Sequence, residues 1–200
     1  DCETDWGKPP PALDSHSRVE WDLESWRDVR FRRRLLWLEE VLIDLSTVEN
    51  PHRQQLDWTL HLAAEALDQN GTQQPFSLSG PLRHMKKATM TSLNGWQPRH
   101  FVRDGSTIAL WLAGDGELWQ GQAPDNPAIT ELSYLVIRNH LPQARFVGLW
   151  DLANGNPLTE AHVDPTPKGT RVSFWRSHHM TQVMLYDEPG RAPDVILQRR

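Results

Sequence analysis

From Arg30 to Ala64 the chain reads RFRRRLLWLEEVLIDLSTVENPHRQQLDWTLHLAA, two apolar stretches parted by a polar break. At period two, Phe31, Leu35, Trp37, Val41, Ile43 and Leu45 share an apolar face, with Arg32, Arg34, Glu40 and Asp44 opposite. That pattern predicts a hairpin bending near Glu39 and Glu40. At period 3.6, Phe31, Leu35, Leu38, Leu42 and Leu45 fall on one stripe, and the wealth of Leu, Arg and Glu tips the stretch slightly toward helix. The second stretch repeats the conflict. Leu56, Trp58, Leu60 and Leu62 alternate with Gln55, Asp57, Thr59 and His61, whereas Leu56, Leu60, Ala63 and Leu67 have helical spacing. Periodicity alone leaves helix and strand open for residues 31 to 69.

Later runs speak for strands. Ile108, Leu110 and Leu112 alternate with Thr107, Ala109 and Trp111; Val172 and Phe174 with Arg171, Ser173 and Trp175; Val183 and Leu185 with Met184 and Tyr186. Turn chemistry recurs at Asn70-Gly71, Ser79-Gly80-Pro81, Asn94-Gly95, Asp104-Gly105, Asp115-Gly116, Asn154-Gly155 and Lys168-Gly169. The predicted fold is all-β: an antiparallel β-sandwich of many short strands over residues 26–200, behind an irregular N-terminal arm or linker over residues 1–25 that holds Lys8-Pro9-Pro10-Pro11. No fixed repeat emerges.

Composition narrows the function classes. Two hundred residues suit one domain with a good core, and 38% hydrophobic and 24% charged residues are ordinary for a globular chain. No uninterrupted apolar run approaches a membrane span. A net charge of -5 argues against general nucleic-acid binding, which draws on a basic surface. Cys2 is the single cysteine, so no internal disulfide and no thiolate metal cluster is expected. A start at Asp1 without a signal pattern predicts a processed chain or a fragment of a longer one.

Several residues qualify as candidate chemistry. Arg30, Arg32, Arg33 and Arg34 read either as a solvated strand face or as a site for an anionic saccharide. Ten tryptophans are many for this length, and aromatic faces stack on sugar rings as readily as they fill cores. Trp96 and Trp119 sit in polar, turn-rich surroundings, which favours a platform role, and Arg99 and His100 flank the Trp96 turn. His61 would share a strand face with Asp57, roughly 13 Å away by strand rise and too far to pair. His162, Asp164, His178 and His179 form the best metal-like set, yet their spacing matches no zinc signature and exposed loop histidines are the simpler reading. Phosphate-loop, nucleophile-elbow and His-Glu-x-x-His patterns do not occur, so neither a cofactor nor a metal is expected.

Arg32-Arg33-Arg34-Leu35-Leu36-Trp37, then Val41-Leu42-Ile43-Asp44, then Leu56-Asp57-Trp58-Thr59-Leu60-His61-Leu62 follow an order of signals that resembles the C-terminal β-sandwich region of the heparinase II/III-like polysaccharide lyases. Ala144-Arg145-Phe146-Val147, after the apolar run Leu132 to Ile137, adds a further echo, and the likeness spans roughly residues 26 to 190. The resemblance implies the distal part of a lyase that cleaves uronic-acid polysaccharides by β-elimination. It also implies a missing N-terminal helical catalytic domain as partner, an anionic polysaccharide as ligand, and a periplasmic or secreted setting. The isolated chain would be catalytically silent and would wall the substrate cleft. The residues expected to touch saccharide are Arg32, Arg34, Trp96, Arg99, His100 and Trp119. A free-standing carbohydrate- or protein-binding β-sandwich module is the alternative expectation.

Overall fold

The structure is a computed structural model that describes residues 2–5, 27–68, 71–73, 83–125, 129–153, 155–188 and 190–199. Residues 31 to 68 take the extended alternative over the helical one. Strand β2 (Arg30–Leu38) pairs with β3 (Val41–Glu49), and Leu38 registers with Val41, so Glu39 and Glu40 form a two-residue turn with Glu39 at φ 49°. The helical stripe loses because β3 is buried on both faces, and a run rich in Val, Ile and Thr between two packing layers suits a central strand. Farther along, β4 (Leu56–Leu62) shows alternating burial, with Leu56 and Trp58 inside and Asp57, Thr59 and His61 exposed, and the two-residue strands β5 (Glu65–Ala66) and β6 (Thr72–Gln73) follow it.

In place of uniformly short strands, the middle of the chain forms two long ones, β7 (Lys86–Arg103) and β8 (Ser106–Pro124), joined by a tight turn at Asp104-Gly105 with both residues at positive φ. Asn94-Gly95 and Asp115-Gly116, expected as turns, instead face each other inside this ladder: Asn94 registers with Asp115, Gly95 with Gly114, and Leu93 with Gly116. They form a corner. On one side of it, residues 109–113 of β8 pair with β10 (Gln143–Asp151); on the other, residues 117–124 pair with β9 (Glu131–Asn139) along the same edge. The sheet therefore divides into a first arm, β1 (Cys2–Asp5), β2, β3, β10 and the start of β8, and a second arm, the end of β8, β9 and β4. Gly116, at φ 136°, permits the turn of the backbone, since a Cβ there would overlap the carbonyl oxygen of Arg138.

The folded arms enclose a core of Leu93, Phe101, Leu110, Leu112, Leu118, Leu135, Ile137, Trp58 and Phe146. Trp58 of the second arm stacks on Phe146 of the first, with centroids 6.5 Å apart and planes at 17°. A second sheet, β11 (Leu158–Thr166), β12 (Gly169–Arg176), β13 (His179–Tyr186) and β14 (Asp194–Arg199), packs on the outer side of the first arm over Ile43, Leu45, Val147, Leu149, Val172, Phe174 and Val183. The protein is an all-β, antiparallel sandwich, one of whose sheets folds back on itself. Within the expected irregular arm, Cys2–Asp5 add an edge strand to β2. The remainder of that arm and Trp26, together with Asn70, Ser79-Gly80-Pro81 and Asn154, lie outside the described residues.

Candidate functional site

Hydrogen-bond register fixes which side chains share the inner face of the first arm. Trp37 registers with Leu42, Leu42 with Trp150, Trp150 with Leu110 and Leu110 with Arg99, one rung across five strands. The next rung runs Leu35, Asp44, Gly148, Leu112 and Gln97. Leu56 to Thr59 of β4 share a cleft with Phe31 and Arg33 of this face, whereas the hairpin end is exposed. Leu35 is 57% exposed and Trp37 62% exposed, with Leu42 and Trp150 half-buried beside them. Trp37 is held despite its exposure, because Nε1 donates to the Glu39 carbonyl at 2.6 Å. The indole nitrogen of Trp150 lies across Gly148, 3.6 Å from where a Cβ on that residue would stand. Two indoles thus line one face two strand spacings, roughly 10 Å, apart.

Between the open end and the covered end sits Arg33. Its Nε donates to Asp44 Oδ1 at 2.9 Å and its Nη2 to Oδ2 at 2.6 Å. The Asp44 carboxylate is almost wholly buried, and the forked pair neutralises it. The hydrogen bond to Asp44 outweighs desolvation and raises the Arg33 pKa, so the guanidinium stays charged. Past Arg33 the face runs into a cleft of about 240 Å³ beneath β4, walled by Phe31, Val48, Leu56, Trp58 and Phe146. Ser46 lies in its lining, fully buried, and its hydroxyl has no hydrogen-bond partner. A second recess shares Phe31 and Val48 with the cleft and gathers Arg30, Arg32 and Arg145 around Thr47, three arginines against the carboxylates of Glu49 and Asp187.

The six residues singled out from sequence do not converge. Arg32 donates to the carbonyls of Asp187 at 2.5 Å and Glu188 at 3.3 Å, and buried Arg34 donates to Glu188 at 3.2 Å, so both lace β2 to the chain leaving β13. Trp96 packs between the two sheets, its indole nitrogen buried without a partner. Trp119 lies on the outer face of the second arm against Met85, Ala88 and Val136, and its Nε1 donates to Glu117 at 3.0 Å. Arg99 is 5% exposed inside the fold, bonded to Gln120 Oε1 at 3.1 Å and Gln97 Oε1 at 3.0 Å, and burial lowers its pKa. His100 meets Asp68 Oδ2 through its backbone N–H at 3.0 Å and Nδ1 at 2.6 Å.

Other candidates resolve into ladder contacts. Asp57 pairs with Arg138 at 2.7 and 2.9 Å, and His61 abuts Tyr134 edge-on at 4.0 Å between centroids. His162 meets Glu160 at 2.7 Å, Asp164 meets Arg171 at 3.4 Å, and no group of three metal-ligating side chains gathers among the described residues. Sequence reasoning missed Trp37, Trp150 and Ser46. The available signal was period two itself: it placed Trp37 with Phe31 on one face, and Gly148 two residues before Trp150 marks a gap under a large ring. No protein-family model matches this sequence, and no curated protein matches it.

Proposed function

We propose that the chain is a saccharide-binding β-sandwich that holds a polysaccharide along the inner face of its folded sheet and is not catalytic alone. The observation that carries this reading is the pair Trp37 and Trp150: two indoles on one open face, one of them exposed yet fixed in orientation by its own hydrogen bond. A preoriented aromatic surface loses little entropy when a sugar ring stacks on it. The half-exposed guanidinium of Arg33, on the same strand face as Trp37, suits the hydroxyls and carboxylates of a ring edge. Because Asp44 already occupies two donors of Arg33, stacking supplies most of the affinity.

The neighbouring recess sets Arg30, Arg32 and Arg145 against Glu49 and Asp187 and so carries one net positive charge, which is compatible with an anionic polysaccharide. The resemblance to lyase sandwiches supports the same ligand class and a role as cleft wall beside a separate catalytic domain. Calorimetric titration with a glucuronate-containing hexasaccharide tests the proposal. Trp37→Ala should weaken binding about tenfold, a loss of roughly 1.4 kcal/mol. Equal affinity in the parent chain and in Trp37→Ala would remove the basis for the reading.

A further inference from the structure

We infer that the arginine-lined recess is a binding site for a tetrahedral oxyanion, the sulfate or phosphate group of an ester, and that it is independent of the inner-face groove. Register places it. Arg32 pairs with Thr47 and Thr47 with Arg145, one rung across β2, β3 and β10 on the face that carries Leu36 and Leu45, opposite Trp37. One rung farther from the hairpin, Arg30 pairs with Glu49 and Glu49 with Gln143. The recess that these residues line measures about 320 Å³, enough for an oxyanion and part of the moiety that carries it.

Two guanidinium groups there keep their donors. Arg30 stands 3.8 Å from Glu49 and Arg145 4.0 Å from Asp187, ion pairs too long for hydrogen bonds, and neither arginine makes a hydrogen bond among the described residues. Arg32 differs: it already donates to the carbonyls of Asp187 and Glu188, so it lends charge and fixes the wall. With Glu49 and Asp187 counted, one net positive charge remains to attract an anion. Shape then selects among anions. Arg30, Thr47 and Arg145 approach from three adjacent strands, each roughly 4.8 Å from the next. A planar carboxylate offers two oxygens, whereas a sulfate or phosphate group offers three beside its ester oxygen. The guanidinium groups take two of these through charge-assisted N–H donors, and the half-buried Thr47 hydroxyl between them serves the third.

The test titrates the 15N-labelled full chain with methyl sulfate, methyl phosphate and acetate at one ionic strength held with sodium chloride. Both tetrahedral ions should give saturable shifts at the Thr47 and Arg145 amides and bind about fivefold tighter than acetate; the tighter of the two identifies the ester. Arg145→Gln breaks no hydrogen bond among the described residues and should weaken both about tenfold. Thr47→Val should erase the preference over acetate while acetate itself binds as before. Arg103→Gln, which takes the same charge from the β7 turn, should change nothing. Absence of saturable shifts, acetate binding as tightly as the other two, or parent-like affinity in Arg145→Gln would overturn the site. None of these probes contains a sugar ring, so their outcome is separate from that of the Trp37→Ala titration.

Discussion

Gly116→Ala is the substitution that the folded sheet can least tolerate. Two costs combine. The backbone at φ 136° lies where L side chains rarely go, and the added methyl would overlap the Arg138 carbonyl oxygen on the adjacent strand, with the Arg138 carbon at 3.1 Å and Asn139 Cβ at 3.1 Å. Neither neighbour is a flexible side-chain end, so β8 and β9 must separate or the corner must open. Backbone strain of about 1–3 kcal/mol and overpacking of another 1–3 kcal/mol predict a loss of roughly 2–6 kcal/mol. Gly105→Ala is the internal control: it also has positive φ, at 76°, but nothing lies within 4 Å of its Cβ, so it should cost only about 1 kcal/mol. Urea unfolding followed by tryptophan fluorescence measures both. A Gly116→Ala chain within about 1 kcal/mol of Gly105→Ala would refute the corner. Since the corner turns the second arm over the inner face, Gly116→Ala should also weaken saccharide binding.

Two further outcomes follow from ionised and ionisable groups in the same sheet. Arg33→Leu strands the buried Asp44 carboxylate and should cost about 2–4 kcal/mol, less than a wholly buried pair because the arginine is half-exposed; adding Asp44→Leu should restore most of the loss in urea melts, and a neutral single variant would refute the pairing. Tyr134, whose phenol burial pushes above the ordinary tyrosine pKa, contributes stability that is complete below the unfolded value and lost as pH rises through the folded one. Tyr134→Phe should therefore flatten the fall in Tm above about pH 9, and an unchanged alkaline limb would contradict the assignment.

The antiparallel sandwich was legible because its cause is local. The odd-even alternation of β4 and the turn at Glu39 and Glu40 follow the period-two reading. The two-residue turn, however, puts Val41, Ile43 and Leu45 on the face opposite Phe31, Leu35 and Trp37 and brings Leu42 and Asp44 beside them instead. The helical tilt of residues 31 to 45 failed for a nonlocal reason: β3 is covered on both faces, and only the packed fold decides that a continuous apolar run is a central strand. Asn94-Gly95 and Asp115-Gly116 carry hairpin chemistry, yet they serve as a corner inside a ladder because each strand is continued by its partner. Which tryptophan is a platform was equally hidden. Trp96 and Trp119 have polar neighbours in sequence, but alternation sends their rings against Ala113 and Val136. Trp37 stands amid apolar neighbours in sequence, yet it is 62% exposed.

The most direct test of the groove is indole N–H chemical-shift mapping of the 15N-labelled chain during titration with a glucuronate-containing hexasaccharide, with the ten tryptophans assigned by single Trp→Phe variants. The account predicts saturable shifts at Trp37 and Trp150 and a smaller one at Trp58, with Trp96, Trp119 and Trp175 unmoved. Saturable shifts centred on Trp119 or Trp96, with Trp37 and Trp150 silent, would contradict it.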